Sequence, residues 1–403
     1  MRPAACTMRV AIALAFSAMA SALPLPGLGA PFVPRSGAEV LERLPQRGTA
    51  AEAALRRQRM RLATAPGDPA IAAEAALRYI ELGRATSDPR YFGYAQAVLA
   101  PWWEAAEPPL PVLLLRATLL QSSHRFAEAM RDLGALTRAD PGNAQAWLTL
   151  ATVQVVQGEY DAAVRSCGRL SSLANQLASV TCLANARASS GQLAASERLL
   201  ALALERSPTA PDGANAGLRL WALTLSGELA ARRGDAPRAE ARLRQALDLA
   251  PGDSYLLGAY ADLLLDQGRH ADVQALLRDH LRIDGLLLRH TIASRAVAPA
   301  AASATAELQA RFEASARRGE ATHQREQARF ELHLRHNPPA ALELALANWQ
   351  VQKEPADLRI LLEAALAARD SKAARPALAW LRRQGLEDDK VASLARQLEG
   401  GLP

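Results

Sequence analysis

The feature that most constrains this chain is a register of glycines followed by small residues. It is clearest where Ala144-Gln145-Ala146-Trp147-Leu148-Thr149-Leu150-Ala151 precedes Gln157-Gly158-Glu159-Tyr160-Asp161-Ala162-Ala163. Gly158, Gly191, Gly234 and Gly268 recur, each with Ala163, Ser196, Ala239 or Val273 five positions on. Apolar positions close each unit, at Cys167 and Leu170, Leu200 and Ala203, Leu243 and Ala246, and Leu277. Prolines follow at Pro141, Pro208 and Pro251, where a helix must stop because the ring removes a donor and clashes with the preceding turn. The pattern predicts an array of helical hairpins. Apolar residues three and four apart in 218–229, 243–249 and 256–265 agree, and two-residue alternation persists nowhere.

A period near 34 residues with Trp147, small residues on the first helix, the Gly158-Glu159-Tyr160 turn and a late proline is similar to the tetratricopeptide repeat (TPR). The resemblance is carried by 109–281, most specifically by 147–208. It implies an all-α, TPR-type α-solenoid, a right-handed superhelix of antiparallel helical hairpins. The Gly191–Gly234 interval is about nine residues longer than its neighbours, with Ser207-Pro208-Thr209-Ala210-Pro211-Asp212-Gly213 supplying the excess as a loop. Because each hairpin of such an array buries its apolar face against its neighbours, one elongated superhelix is the simplest reading of 403 residues. With aromatic residues at 4%, packing must rest on alanine and leucine at close approach.

The expected organisation is a signal peptide at 1–22, a linker at 23–50, divergent N-terminal repeats at 51–108, TPR-like repeats at 109–284, divergent hairpins at 285–339 and capping helices at 340–403. In the divergent part, a helical run after Pro66-Gly67-Asp68-Pro69 is expected to end at Gly83. The signal peptide is read from Arg2 and Arg9 before the apolar run Val10–Ala20, with Ala20-Ser21-Ala22 offering small residues for cleavage. The run is shorter than the roughly 20 residues of a membrane span and is followed by Pro24 and Pro26. Cys6 precedes it, out of place for lipidation. The expectation is an exported protein, periplasmic, or secreted if the host lacks an outer membrane, with no transmembrane segment after cleavage.

Two cysteines would remain, Cys167 on the second helix of one hairpin and Cys182 on the first helix of the next. They are read either as a disulfide, which closing a loop of this size makes worth roughly 3 kcal/mol, or as two small buried apolar residues.

For chemistry, His323, His333 and His336 fall on one predicted helix. At 1.5 Å rise per residue, His323 and His333 lie about 15 Å apart and cannot share a metal. Only His333 and His336 could chelate together, beside Arg329 and Arg335, and a metal site needs three or four ligands. The simpler reading is a solvated polar face, with Arg325, Glu326 and Arg329 suited to it or to an inter-helix bridge and Phe330 inward. No metal, cofactor or catalytic residue is therefore expected, and no nucleophile elbow, phosphate loop or His-Glu-x-x-His occurs. The Arg56, Arg57, Arg59 and Arg61 run suits an anionic surface better than nucleic acid, because acids are interspersed with the arginines and the export signal points away from nucleic acid.

The TPR resemblance implies that first helices line a concave groove. Carried over by position, it places Leu148, Thr152 and Val155 there, then Thr181, Asn185 and Ala188, then Thr224, Glu228 and Arg232, then Gly258, Asp262 and Asp266. The first half is apolar and the second acidic. TPR members that grip an acidic tail use a lysine and asparagine clamp; here Asn185 is present, no lysine is, and Arg232 alone is basic. A ligand with an apolar segment followed by a basic one fits better. The expected function is a non-catalytic protein–protein interaction scaffold of the bacterial envelope, binding a protein or peptide. The alternative is a metal-handling or small-ligand protein using the 323–336 helix.

Overall fold

Gly158, Gly191, Gly234 and Gly268 all adopt left-handed backbone, with φ between 68° and 78°, and each ends the turn after a first helix. That conformation strains any residue with a Cβ, which is why glycine recurs there. The computed structural model describes Ser36 and residues 50–210, 213–297, 302–319 and 323–400. The expected signal peptide, and the expected linker apart from Ser36 and Ala50, lie outside the described residues. The chain divides into two compact units, Met1–Ala54 and Leu55–Pro403.

The described residues hold helices and a single 3₁₀ turn at Leu170–Ser172, and no strand. First come α1 (Ala50–Thr64), α2 (Pro69–Thr86), α3 (Arg90–Val98) and the short α4 (Ala100–Trp103). Five hairpins follow: α5 (Leu110–Ser122) with α6 (Phe126–Ala139), α7 (Ala144–Val156) with α8 (Tyr160–Arg169), α9 (Gln176–Ala188) with α10 (Leu193–Arg206), α11 (Ala216–Arg232) with α12 (Ala236–Leu249), and α13 (Ser254–Asp266) with α14 (His270–Leu277). Beyond them lie α15 (Asp284–Val297), α16 (Ala302–Arg317), α17 (Gln324–His333), α18 (Pro338–Val351), α19 (Pro355–Ala367), α20 (Ser371–Gln384) and α21 (Asp389–Gly400). The described residues form an all-α array of helical hairpins.

Three of the five first helices, α7, α9 and α13, start where a short polar side chain takes up a free N–H group. Asn143 accepts from Ala146, Asn175 from Leu177, and Asp253 from Leu256. Close packing then depends on small residues. Gly227 on α11 lies so near Leu243 on α12 that a Cβ would come within 2.7 Å of its Cγ. Leu200, Leu229, Leu243, Leu256 and Val273 lie in one apolar cluster spanning α9 to α15.

Three expectations need correction. Gly83 does not end its helix but lies inside α2, packed against Phe92 of α3. His323, His333 and His336 do not share a helix: His323 precedes α17, His333 ends it, and His336 lies beyond in left-handed backbone, φ 52°. Finally, the hairpins do not meet only their neighbours. Tyr160 of α8 is buried in one cluster with Trp349, Leu361, Trp380 and Val391, and Trp380 meets both Tyr160 and Trp349 edge-on.

Candidate partner-binding concave face

The predicted groove positions separate into buried, engaged and accessible ones. Thr181, Ala188, Thr224 and Gly258 are buried, so they do not line an open face. The Thr181 hydroxyl donates to the Leu177 carbonyl at 2.7 Å and that of Thr224 to Leu220 at 2.8 Å, which satisfies each on its own helix. Helices that touch through alanine and leucine approach closely enough to cover them. Leu148, Thr152, Val155 and Asn185 are half-buried. Leu148 and Val155 pack against the cluster that holds both cysteines. Cys167 and Cys182 are joined by a disulfide, with Cα atoms 5.5 Å apart, tying α8 to α9.

The basic and acidic positions are engaged by side chains and backbone from farther along the chain. Arg232 donates to the carbonyls of Ala188 at 2.7 Å and Glu387 at 2.9 Å, with the Asp388 carboxylate 4.0 Å away. Asp262 accepts two hydrogen bonds each from Arg289 of α15 and Arg329 of α17, the shortest 2.6 and 2.7 Å. Burial alone would raise the Asp262 carboxyl, but Arg289 and Arg329 overcome it and hold the group well below the usual carboxylate range. Asp266 accepts two from Arg359 of α19, at 2.6 and 2.8 Å. The acidic half of the predicted groove is thus not free: two of its three acids are neutralised by the chain's own arginines.

Glu228 is the third. Its Oε1 accepts from the Tyr255 hydroxyl at 2.6 Å. Loss of solvent raises the carboxyl to about 7; the Tyr255 hydrogen bond opposes this, Glu354 adds to it, and Arg232 and Arg325 oppose it. Tyr255 stays 62% exposed, so water reaches the pair and blunts the effect. His124, from the turn between α5 and α6, is lowered by burial first and then by Arg325, with Glu354 opposing. Glu228 on α11, Tyr255 on α13 and His124 in the α5–α6 turn therefore all feel the charges of Arg325 and Glu354.

The polar side of α17 is an interior network rather than a solvated face. Arg325 reaches Glu326 at 3.5 Å, Glu354 at 2.9 Å and the fully buried Asp357 at 3.3 Å, and Asn348 also donates to Asp357 at 2.8 Å. Burial raises Asp357 to about 6 against the pull of Arg325. Phe330 faces inward against Phe312. His333 Nε2 lies 3.6 Å from Glu363, which also accepts from Arg359 at 2.7 Å. Among the described residues no three histidine, cysteine or carboxylate side chains are grouped to hold a metal. In the basic run of α1, Arg59 donates to the Tyr79 hydroxyl at 2.9 Å and lies over its ring, and Arg61 pairs with Glu74 at 2.7 Å.

Sequence reasoning missed the segments that return to the repeat turns. The Lys353 amide donates to the Val156 carbonyl at 2.7 Å, and the Gln157 side chain donates to the Val351 carbonyl at 2.5 Å. Farther along, the Leu193 amide donates to Glu387 at 3.1 Å, and Gly385 lies against Gly191, whose Cβ would sit 3.0 Å from the Gly385 oxygen. The two docking segments are about 34 residues apart, as are the two turns they meet. That shared offset was the available signal.

Comparison with known proteins agrees with the repeat geometry. A tetratricopeptide-repeat family model matches residues 120–180 and 230–285. No curated protein matches the chain. Similar solved structures include a chain of the APC/C hetero-tetramer Cut9-Hcn1, at 13% identity and TM-score 0.41, over 78% of this chain and 52% of that one. This chain thus spans about half the length of that relative. A tetratricopeptide repeat protein from Parabacteroides merdae matches at 15% identity and TM-score 0.38, over 63% of this chain and 98% of that one. Human IFIT1, as a dimer with m7Gppp-AAAA, matches at 14% identity and TM-score 0.39, over 87% and 86%. No helix among the described residues is long and apolar enough to cross a membrane.

Proposed function

Because a tetratricopeptide-repeat family model matches residues 120–180 and 230–285, we propose that this chain is a non-catalytic interaction scaffold that takes a segment of a partner protein against the concave face of its first helices. One observation carries the reading: Tyr255, a large aromatic on first helix α13, is 62% exposed while the neighbouring Leu256, Leu257, Tyr260 and Leu264 are buried. Tyrosine is among the residues that concentrate binding energy at interfaces, because it contributes large area and a polar tip at small entropic cost. Leu148, Thr152 and Asn185 supply the less polar end of the same face.

The scaffold works in the cell envelope of a bacterium, exported by residues 1–22 and periplasmic, or secreted where no outer membrane exists. The charged and apolar pattern of residues 2–22 supports export. The Cys167–Cys182 bridge supports it too, since disulfides persist in oxidising compartments.

A photoreactive amino acid at position 152 tests the scaffold in cells. A reproducible protein crosslink at that position, absent when the same amino acid replaces the exposed Leu202 on α10, is the expected result. Self-crosslinks alone would overturn it. Mass analysis of the mature N-terminus tests export: a chain that begins after Ala22 is expected, and an intact Met1 in the envelope fraction would refute cleavage.

A further inference from the structure

Resting on the reading that a partner segment lies along the concave face, we propose that Glu228 and Tyr255 form a subsite for one cationic side chain, lysine or arginine, of that segment. The three groove acids are not equivalent. Asp262 is neutralised by Arg289 and Arg329, and Asp266 by Arg359, each in two-pronged geometry. Among the described residues Glu228 has no cation within ion-pair distance and accepts from the Tyr255 hydroxyl only. A carboxylate offers two oxygens with about four lone-pair sites, so Oε2 remains open to a donor.

The neighbouring ring supplies the second half of the site. Tyr255 is held by its hydroxyl to Glu228 and exposed over most of its surface. An ammonium or guanidinium group over that face is attracted to the ring and can donate to the carboxylate beside it. The nearby arginines do not fill the role. Arg232 is committed to the carbonyls of Ala188 and Glu387, and Arg325 to Glu354 and Asp357. The more distant charges are mixed, with Glu354 adding to the rise that loss of solvent imposes on the Glu228 carboxyl and Arg232 and Arg325 opposing it, so the preference for a cation rests on the carboxylate and ring themselves. An acidic segment would meet an unpaired carboxylate and be repelled.

The test uses the full chain and two fluorescein-labelled probes of equal length, acetylated tetra-arginine amide and tetra-glutamate amide, read by anisotropy at physiological ionic strength. The arginine probe is expected to bind, the glutamate probe not to, and Glu228→Gln to weaken the arginine probe by about tenfold. Tyr255→Ala is expected to weaken it about threefold or more, while Tyr255→Phe, which keeps the ring, changes it less. Because Tyr255 is exposed, its variants carry the test if Glu228→Gln does not fold. Equal binding of the arginine probe by wild type and Glu228→Gln, or no binding by wild type, overturns the subsite. Crosslinking from position 152 distinguishes this from failure of the scaffold: a captured partner with no effect of Glu228→Gln refutes the cation subsite alone.

Discussion

Around α9 neighbouring helices are tied by a covalent bond, and around α13 by ion pairs. At the first place Cys167 and Cys182 join α8 to α9, and Thr152 and Thr181 turn their hydroxyls onto their own helices. At the second, Asp262 draws in α15 and α17 through Arg289 and Arg329, and Asp266 draws in α19 through Arg359. Both solutions serve the same hairpin geometry. They differ in what can undo them: the first yields to a reductant, the second to a change in charge.

The largest effect is expected at Asp262. Arg289 and Arg329 are only 12% and 18% exposed, so Asp262→Ala leaves two cations largely out of water and unpaired. A loss of about 3–5 kcal/mol in urea unfolding is expected, as for other broken interior pairs. A loss below about 1 kcal/mol would mean the cluster behaves as a surface pair and would erase the contrast with α9. Cys167→Ser with Cys182→Ser comes next, at about 3 kcal/mol. Dithiothreitol should lower the melting temperature of the wild type and leave that of the double variant unchanged.

Glycine replacement sharpens the comparison at a finer level. Gly191→Ala combines φ of 78° with a contact at 3.0 Å to the Gly385 oxygen, so a cost of about 1–3 kcal/mol is expected. Gly168→Ala in α8, with open space around its Cβ, should stabilise by about 0.5–1 kcal/mol. If both changes destabilise equally, the docking of Gly385 on the repeat turn contributes nothing.

The smallest effect is expected at Glu228 and has a sign fixed by linkage. Its folded value, about 7, lies above the ordinary 4.5, so the folded state holds the proton more tightly. Its relative stabilisation is complete below about 4.5 and is lost as pH rises through 7. Glu228→Gln removes that loss and should be the more stable protein at pH 8, by under about 1 kcal/mol because water reaches the site. Thermal unfolding of both proteins at pH 5 and pH 8 reads this directly; a variant less stable than wild type at pH 8 would assign Glu228 a structural role.

The repeats were legible because their signals are local. Gly158, Gly191, Gly234 and Gly268 each mark a left-handed turn that a Cβ would strain. Elsewhere the same conformation is taken by Ser87, His124, His336 and Arg369, residue types that carry no such mark in a sequence. Burial on α17 was illegible for another reason. Arg325, Glu326 and Arg329 look solvated in a single helix, and what buries them is Asp262, Glu354 and Asp357 on other elements. Likewise, Asp262 and Asp266 read as free acids until their arginines arrive from 27 to 93 residues away. Charge in a sequence tells what a residue needs, and only the fold tells whether that need is met internally.

The docking of Val351–Lys353 on the α7–α8 turn, and of Gly385–Glu387 on the α9–α10 turn, bears on how such a chain can change over generations. A row whose units meet only their neighbours tolerates duplication or loss of one unit, since each new interface resembles the old. Here an added or deleted hairpin between Leu193 and Val351 would carry Glu387 away from the Leu193 amide and from Arg232, and Lys353 away from Val156. The number of hairpins in that interval is therefore a counted quantity, and this lineage should vary by substitution and loop length, as in the long 207–213 connection, rather than by whole repeats.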